Sequence, residues 1–194
     1  MKKLREGLWQ PPAPLAVPPQ KRLRGMKLGI VSLGAIGRAI ALRAQTMGLE
    51  IAWYGPRAKP DSGFRYEPDL LKLANWADAL AVTTPGGKAT EKLIDARVIA
   101  ALGDDGILIN ISRGSVVDED ALIAALRAGK LFGAGLDVFA QEPTPPARWA
   151  EFDNVMLTPH VGGGTRDALI GSTVNALENL RRFFAHVPLL TPLP

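Results

Sequence analysis

The chain has 194 residues, of which 47% are hydrophobic, enough for one domain with a substantial core, and its mixed charges read as soluble and globular. It contains no cysteine, which excludes a disulfide framework, thiol catalysis and cysteine-ligated metal, and its two histidines lack the close spacing of a zinc site, so no metal is expected. No apolar run is long enough to cross a bilayer and the amino terminus lacks the apolar core of a signal peptide, so a cytoplasmic protein without a membrane partner is expected.

Residues 1–25 read as a basic arm and linker. Lys2, Lys3, Arg5, Lys21, Arg22 and Arg24 lie there, with Lys27 just beyond, so the net charge of +4 is concentrated before the first strand ends. Pro11 to Pro19 are too dense in proline for a regular helix and form an extended connector. Such an arm suits nucleic acid or an anionic surface electrostatically, but it lacks aromatic interleaving and any binding motif. A solvated linker or packing arm is the reading, and no nucleic-acid partner is expected.

From residue 26, β-rich runs alternate with helical periods. Strands are predicted at 27–31, 50–54, 79–83, 107–110, 133–137 and 155–157, and helices at 36–47, 69–74, 95–102, 118–128 and 165–185. Asp118 is the expected N-cap and Gly129 the expected stop of the fourth helix. This alternation predicts an α/β fold over residues 26–186, a Rossmann-type doubly wound parallel sheet in a single domain with both faces covered. The last helix carries Leu169, Val174, Leu177 and 180–184 on a broad apolar side, which must pack on this sheet or on another subunit. Residues 187–194 are a tail.

The first strand runs into Ser32-Leu33-Gly34-Ala35-Ile36-Gly37, the dinucleotide fingerprint G-x-G-x-x-G with serine in its first position. Gly34 keeps the close backbone approach to a pyrophosphate and Gly37 the close helix–strand packing, while the following helix offers free N–H groups to phosphate. Ser32 costs little if its φ is negative and about 1–2 kcal/mol if the turn demands a left-handed residue. A merely structural glycine turn is the alternative. The second strand ends in Tyr54-Gly55-Pro56-Arg57-Ala58-Lys59, with no carboxylate to repel a 2′-phosphate. Arg57 can offer such a phosphate a planar fork of donors, with Lys59 a weaker second charge, so NADP is preferred and NAD remains possible. The bland reading makes Arg57 a solvated loop charge.

Arg113, Glu142 and His160 follow three consecutive predicted strands, at the carboxyl ends where open parallel sheets bind ligands. Singly, each has a structural reading: a loop histidine, a turn residue beside Gly114, a loop charge before Pro143. Together they are the layout of an acid/base site.

These residues jointly resemble the D-isomer-specific 2-hydroxyacid dehydrogenase family, especially its glyoxylate/hydroxypyruvate and hydroxyphenylpyruvate reductase branch. The resemblance runs from about Gly25 to the end. It is carried by the fingerprint, by Thr83-Thr84-Pro85-Gly86-Gly87 with Thr90, and by Asn110-Ile111-Ser112-Arg113-Gly114-Ser115. Downstream it continues through Gly133-Ala134-Gly135-Leu136-Asp137-Val138-Phe139, Gln141-Glu142-Pro143, Asn154-Val155 and Pro159-His160-Val161-Gly162-Gly163. It implies that Arg113 binds the carboxylate and carbonyl of a 2-oxo acid, that His160 donates the proton, and that Glu142 orients His160 and supports its charge. It implies cofactor contacts from Gly34, Ala35, Ile36, Gly37, Thr84, Pro85, Thr90, Ile111, His160 and Gly162, and a bond from Asp137 to the nicotinamide carboxamide.

The family also has a second lobe, built mostly from sequence before the nucleotide domain. Here about two dozen residues precede the first strand, so the substrate lobe is expected to be largely absent, with Leu4 to Trp9 its remnant. The expected activity is that of an NAD(P)H-dependent 2-oxo acid reductase or of its cofactor-binding part, with a 2-oxo or 2-hydroxy acid as partner and a homodimer as assembly. The alternative is a non-catalytic, nucleotide-sensing module of the same fold, as in the co-repressors that resemble this family. A short-chain dehydrogenase fits worse, because neither Tyr54 nor Tyr66 has the Tyr-x-x-x-Lys spacing.

Overall fold

Four of the five helices begin on a side chain that satisfies otherwise unpaired N–H groups. In the computed structural model, which describes residues 22 to 192, Asp69 accepts from Leu71 and Lys72, and Asp95 from Arg97 and Val98. Asp118 accepts from Ala121, and Thr165 from Ala168. The helices they start are α2 (Leu70–Trp76), α3 (Ala96–Leu102), α4 (Glu119–Arg127) and α5 (Arg166–Phe184). The exception is α1 (Ala35–Thr46), whose N-cap is Gly34 with no side-chain cap, so its first N–H groups face outward without a protein acceptor from the cap residue.

The strands are β1 (Lys27–Val31), β2 (Glu50–Tyr54), β3 (Arg65–Tyr66), β4 (Ala79–Val82), β5 (Ile107–Asn110), β6 (Gly133–Leu136) and β7 (Val155–Leu157). They form one parallel sheet in the order β3-β2-β1-β4-β5-β6-β7, the doubly wound arrangement expected. Every residue of central β4 is buried, as a parallel strand covered on both faces requires. The direction of winding reverses between β1 and β4. There Thr83 N donates to Val31 O, and its hydroxyl to Ser32 O at 2.7 Å. Two strand boundaries differ from expectation, since Thr83 and Asp137 stand one residue beyond their strands, at the crevice, and the helix ends differ by up to two residues. The two-residue β3 was not predicted, being too short to show an alternation.

On one face, Leu73, Ile99 and Leu122 of α2, α3 and α4 pack on Leu80, Leu108 and Leu136. On the other, Ala41 and Ala44 of α1 pack on Leu28, Ile30, Trp53 and Ala81. Both faces were expected to be covered, but among the described residues nothing covers one face over β5 to β7. On the α1 side an apolar groove of about 690 Å³ runs along Ile107, Ile109, Phe132, Gly135 and Met156, and Met156 is 74% exposed. The last helix does not fill it: no residue of α5 is buried, so of the two packing partners expected for its apolar side, this sheet is not the one. Among the described residues, no helix is long and apolar enough to cross a membrane. The predicted remnant at Leu4 to Trp9 and the connector Pro11 to Pro19 lie outside the described residues.

Candidate active site

A crevice of about 790 Å³ lies at the carboxyl end of the sheet. Successive strands supply its lining: Ile36 after β1, Thr84 and Pro85 after β4, Ile111 and Arg113 after β5, Glu142 after β6 and His160 after β7.

The glycine turn sets the entrance. Ser32 has φ +78°, so the turn does demand a left-handed residue, and the serine bears the cost of roughly 1–2 kcal/mol. A Cβ on Gly37 would lie 2.3 Å from Ser32 O and 2.8 Å from Thr83 Oγ1, so only glycine lets α1 approach this closely. A Cβ on Gly34, the N-cap of the uncapped α1, would stand in open space, with nothing beyond its chain neighbours within 4 Å. Uncapped donors facing open space beside a glycine fit a pyrophosphate.

Beside this turn, Arg38, Lys59, Asp61 and Gly34 line a smaller cavity of about 370 Å³. Lys59 Nζ donates to Leu33 O at 2.7 Å, and Arg38 Nη1 to Ser62 O at 3.1 Å. Two cations and the Asp61 carboxylate therefore border this cavity. Arg57 is exposed in the loop before Lys59 and is not part of this lining. Arg38, one residue after the fingerprint, was not singled out from sequence; its signal was a cation on the first turn of a phosphate-binding helix.

Arg113 is aimed by Asn110, which is 1% exposed. The Asn110 Oδ1 accepts from Ser112 N and Oγ, while Nδ2 donates to Arg113 O at 3.0 Å. Gly86 leaves room for the arginine stem, since a Cβ there would lie 2.8 Å from Arg113 Cγ. Thr90, expected at the cofactor, ties its own loop: its hydroxyl donates to Pro85 O at 2.8 Å.

His160 Nδ1 lies 2.8 Å from Glu142 Oε2. An ionised carboxylate can only accept, so Nδ1 carries the proton and Nε2 is the nitrogen Glu142 leaves free. The other oxygen of Glu142 accepts from Phe139 N at 3.0 Å. The His160 ring, followed by this amide, holds the Glu142 carboxyl below the usual carboxylate range. The loop bearing Glu142 is pinned from behind. A Cβ on Gly114 would lie 1.9 Å from Phe139 C, and Glu119, 9% exposed, accepts from Ala140 N and from Arg148 Nε. Trp149, 3% exposed, packs between Phe139 and Phe152 with its ring tilted to both, so packing is its role.

Asp137, at the end of β6, is 7% exposed and accepts from Thr158 Oγ1, from Val161 N at 3.0 Å and from Gly162 N at 2.8 Å. Burial pushes its carboxyl up, but these three donors together hold it below the usual range. Gly162 thus meets Asp137 rather than lining the crevice.

The profile of the D-isomer specific 2-hydroxyacid dehydrogenase NAD binding domain matches residues 1–162, reaching beyond the Gly25 start of the sequence resemblance. The 2-ketogluconate reductase of Gluconobacter oxydans (strain 621H) is 39% identical over 191 residues, covering 98% of this chain and 60% of that protein. A glyoxylate/hydroxypyruvate reductase A of Arabidopsis thaliana is 42% identical over 172 residues, 89% of this chain and 55% of that protein. The crystal structure of the NADPH-dependent glyoxylate/hydroxypyruvate reductase from Sinorhizobium meliloti, in complex with NADP and malonate, is similar with a TM-score of 0.88 at 39% identity. It covers 99% of this chain and 60% of that one. The chain thus spans 55–60% of the length of these relatives. With its parallel seven-stranded sheet, glycine turn and profile match in agreement, the chain belongs to the D-isomer specific 2-hydroxyacid dehydrogenase family.

Proposed function

We propose that this protein is the nucleotide-binding and acid/base part of an NADP-preferring 2-oxo acid reductase of the glyoxylate or hydroxypyruvate type, with residues 26–186 as its nucleotide domain. The observation that carries the reading is the His160–Glu142 pair, 2.8 Å apart, in one crevice with Arg113. When bound, the nicotinamide supplies a hydride to the substrate's carbonyl carbon. Negative charge then grows on the carbonyl oxygen, and His160, its ring held by Glu142, delivers a proton there. Arg113 binds the substrate carboxylate through parallel N–H donors. In this reading Asp137, Thr84, Pro85 and Ile111 border the nicotinamide half.

The cofactor preference is supported by Arg38 and Lys59 at the cavity beside the glycine turn, with Arg57 a nearby exposed cation. It accords with the NADP bound in the Sinorhizobium meliloti relative. The same reading makes the protein a cytoplasmic homodimer. The homodimer is supported by the apolar groove over β5 to β7 and by Leu169, Val174, Leu177 and Phe184 on α5, each more than half exposed, because clustered exposed apolar side chains mark association surfaces.

The test is hydroxypyruvate-dependent oxidation of NADPH by the purified chain, followed by the absorbance of the reduced cofactor. Turnover that disappears in His160→Gln supports the proposal. A folded chain that binds NADPH and dimerises with it but shows no turnover supports instead a nucleotide-sensing module.

A further inference from the structure

The backbone of His160 is as unusual as its ring is well placed. Its φ is +53°, in the left-handed region that residues bearing a Cβ rarely adopt. Within the loop itself the backbone bonds are His160 N to Thr158 O at 3.1 Å and Gly164 N to Val161 O at 2.9 Å, and only the first involves His160. The residues on both sides of His160 converge on one carboxylate. Asp137 Oδ1 accepts from the Thr158 hydroxyl and from Val161 N, and Oδ2 from Gly162 N. Gly162 is shaped for the contact, since a Cβ there would lie 2.9 Å from Asp137 Oδ2. Asp137 begins the β6 loop that reaches Glu142, so one short segment bonds both the loop that carries His160 and its ring.

We propose that Asp137 is a positioning residue, whose buried carboxylate clamps 158–162 so that His160 keeps its left-handed backbone and presents Nδ1 to Glu142. The inference rests on the reading of His160 as the proton donor. It uses three of the roughly four acceptor positions of a carboxylate, leaving one on Oδ2 for a ligand amide. A neutral amide at this position would both weaken the bonds that remain and turn a donor toward Gly162 N–H.

The test is nuclear magnetic resonance of the chain without nucleotide, which reads the clamp independently of catalysis. The Nδ1–H proton of His160, bonded to a carboxylate, should resonate far downfield of the amides, and Glu142→Gln identifies it. In Asp137→Asn this signal should be lost to solvent exchange, and hydrogen exchange at Val161 and Gly162 should rise by about tenfold or more, as expected for losing charge-assisted bonds. A general loss of stability would lower the melting temperature without removing the His160 signal. Retention of the signal with unchanged exchange in a folded Asp137→Asn overturns the proposal. Should that variant not fold, Thr158→Val removes one of the three bonds. A rise in exchange at Val161 and Gly162 of about threefold with a weakened His160 signal is then expected, and wild-type values for both overturn it. Neither measurement uses turnover, so an inactive wild-type chain would count against the reductase reading alone.

Discussion

His160 and Glu142 are joined through Nδ1 and Oε2 at 2.8 Å, and the second carboxylate oxygen is held by the Phe139 amide. The pair is bonded at both ends yet stands at a crevice, with side chains 45% and 39% exposed, so it contributes more to orientation than to stability. Exposed pairs are worth about 0–1 kcal/mol.

The pH dependence of that contribution has a definite sign. The Glu142 carboxyl is held below its usual range, so the stability it adds is present above the ordinary carboxylate pKa and is lost as pH falls through the depressed one. Thermal melts of Glu142→Gln should therefore lie below wild type at neutral pH, by under about 1 kcal/mol, and converge with it in acid. A gap that widens in acid would contradict the assignment.

Ser32 and Gly37 offer opposite stability effects within one turn. At φ +78°, Ser32→Gly should stabilise the fold by about 1 kcal/mol, because glycine adopts this conformation without a Cβ clash. Gly37→Ala should destabilise it by about 1–3 kcal/mol or more, since its Cβ would meet the Ser32 carbonyl at 2.3 Å. Urea titrations of both variants check the pair.

Arg113 is expected to act on substrate rather than on nucleotide. Losing one charge-assisted interaction of about 1.5–3 kcal/mol, Arg113→Gln should raise the KM for hydroxypyruvate about 10- to 100-fold. The Kd for NADPH should stay within about twofold by fluorescence titration, because no phosphate-binding N–H of the α1 terminus is touched.

The preference for NADPH should depend on Arg38 and Lys59 together with Arg57. Arg38→Ala and Lys59→Ala should each narrow the ratio of NADH to NADPH Kd by about tenfold, on the scale of a lost charge-assisted bond, and Arg57→Asp should narrow it by adding a repulsive carboxylate. Calorimetric titration with both cofactors reads the ratio. Equal effects on the two would assign these cations to the pyrophosphate instead.

The elements of this fold were readable along the chain because their signals are local. Asp69, Asp95, Asp118 and Thr165 cap helices through bonds to residues two or three positions on, and buried strands such as β4 are continuous apolar runs. The order of motifs also brought Arg113, Glu142 and His160 together, because parallel strands deliver their carboxyl ends to one edge. What the residue order could not disclose depends on partners remote in sequence. The conformation of Ser32 follows from the crowding of α1 against the turn, and Arg38 enters the cavity with Lys59 only once the loop after β2 folds back. Glu119 reads as an ordinary helix-start acid until it meets Ala140 and Arg148, 21 and 29 residues away. Asp137 is one carboxylate in a glycine-rich strand end until the loop 24 and 25 residues on converges upon it. The open groove over β5 to β7 was likewise decided in three dimensions, since helix count and apolar period say that a face exists but not which helix covers it.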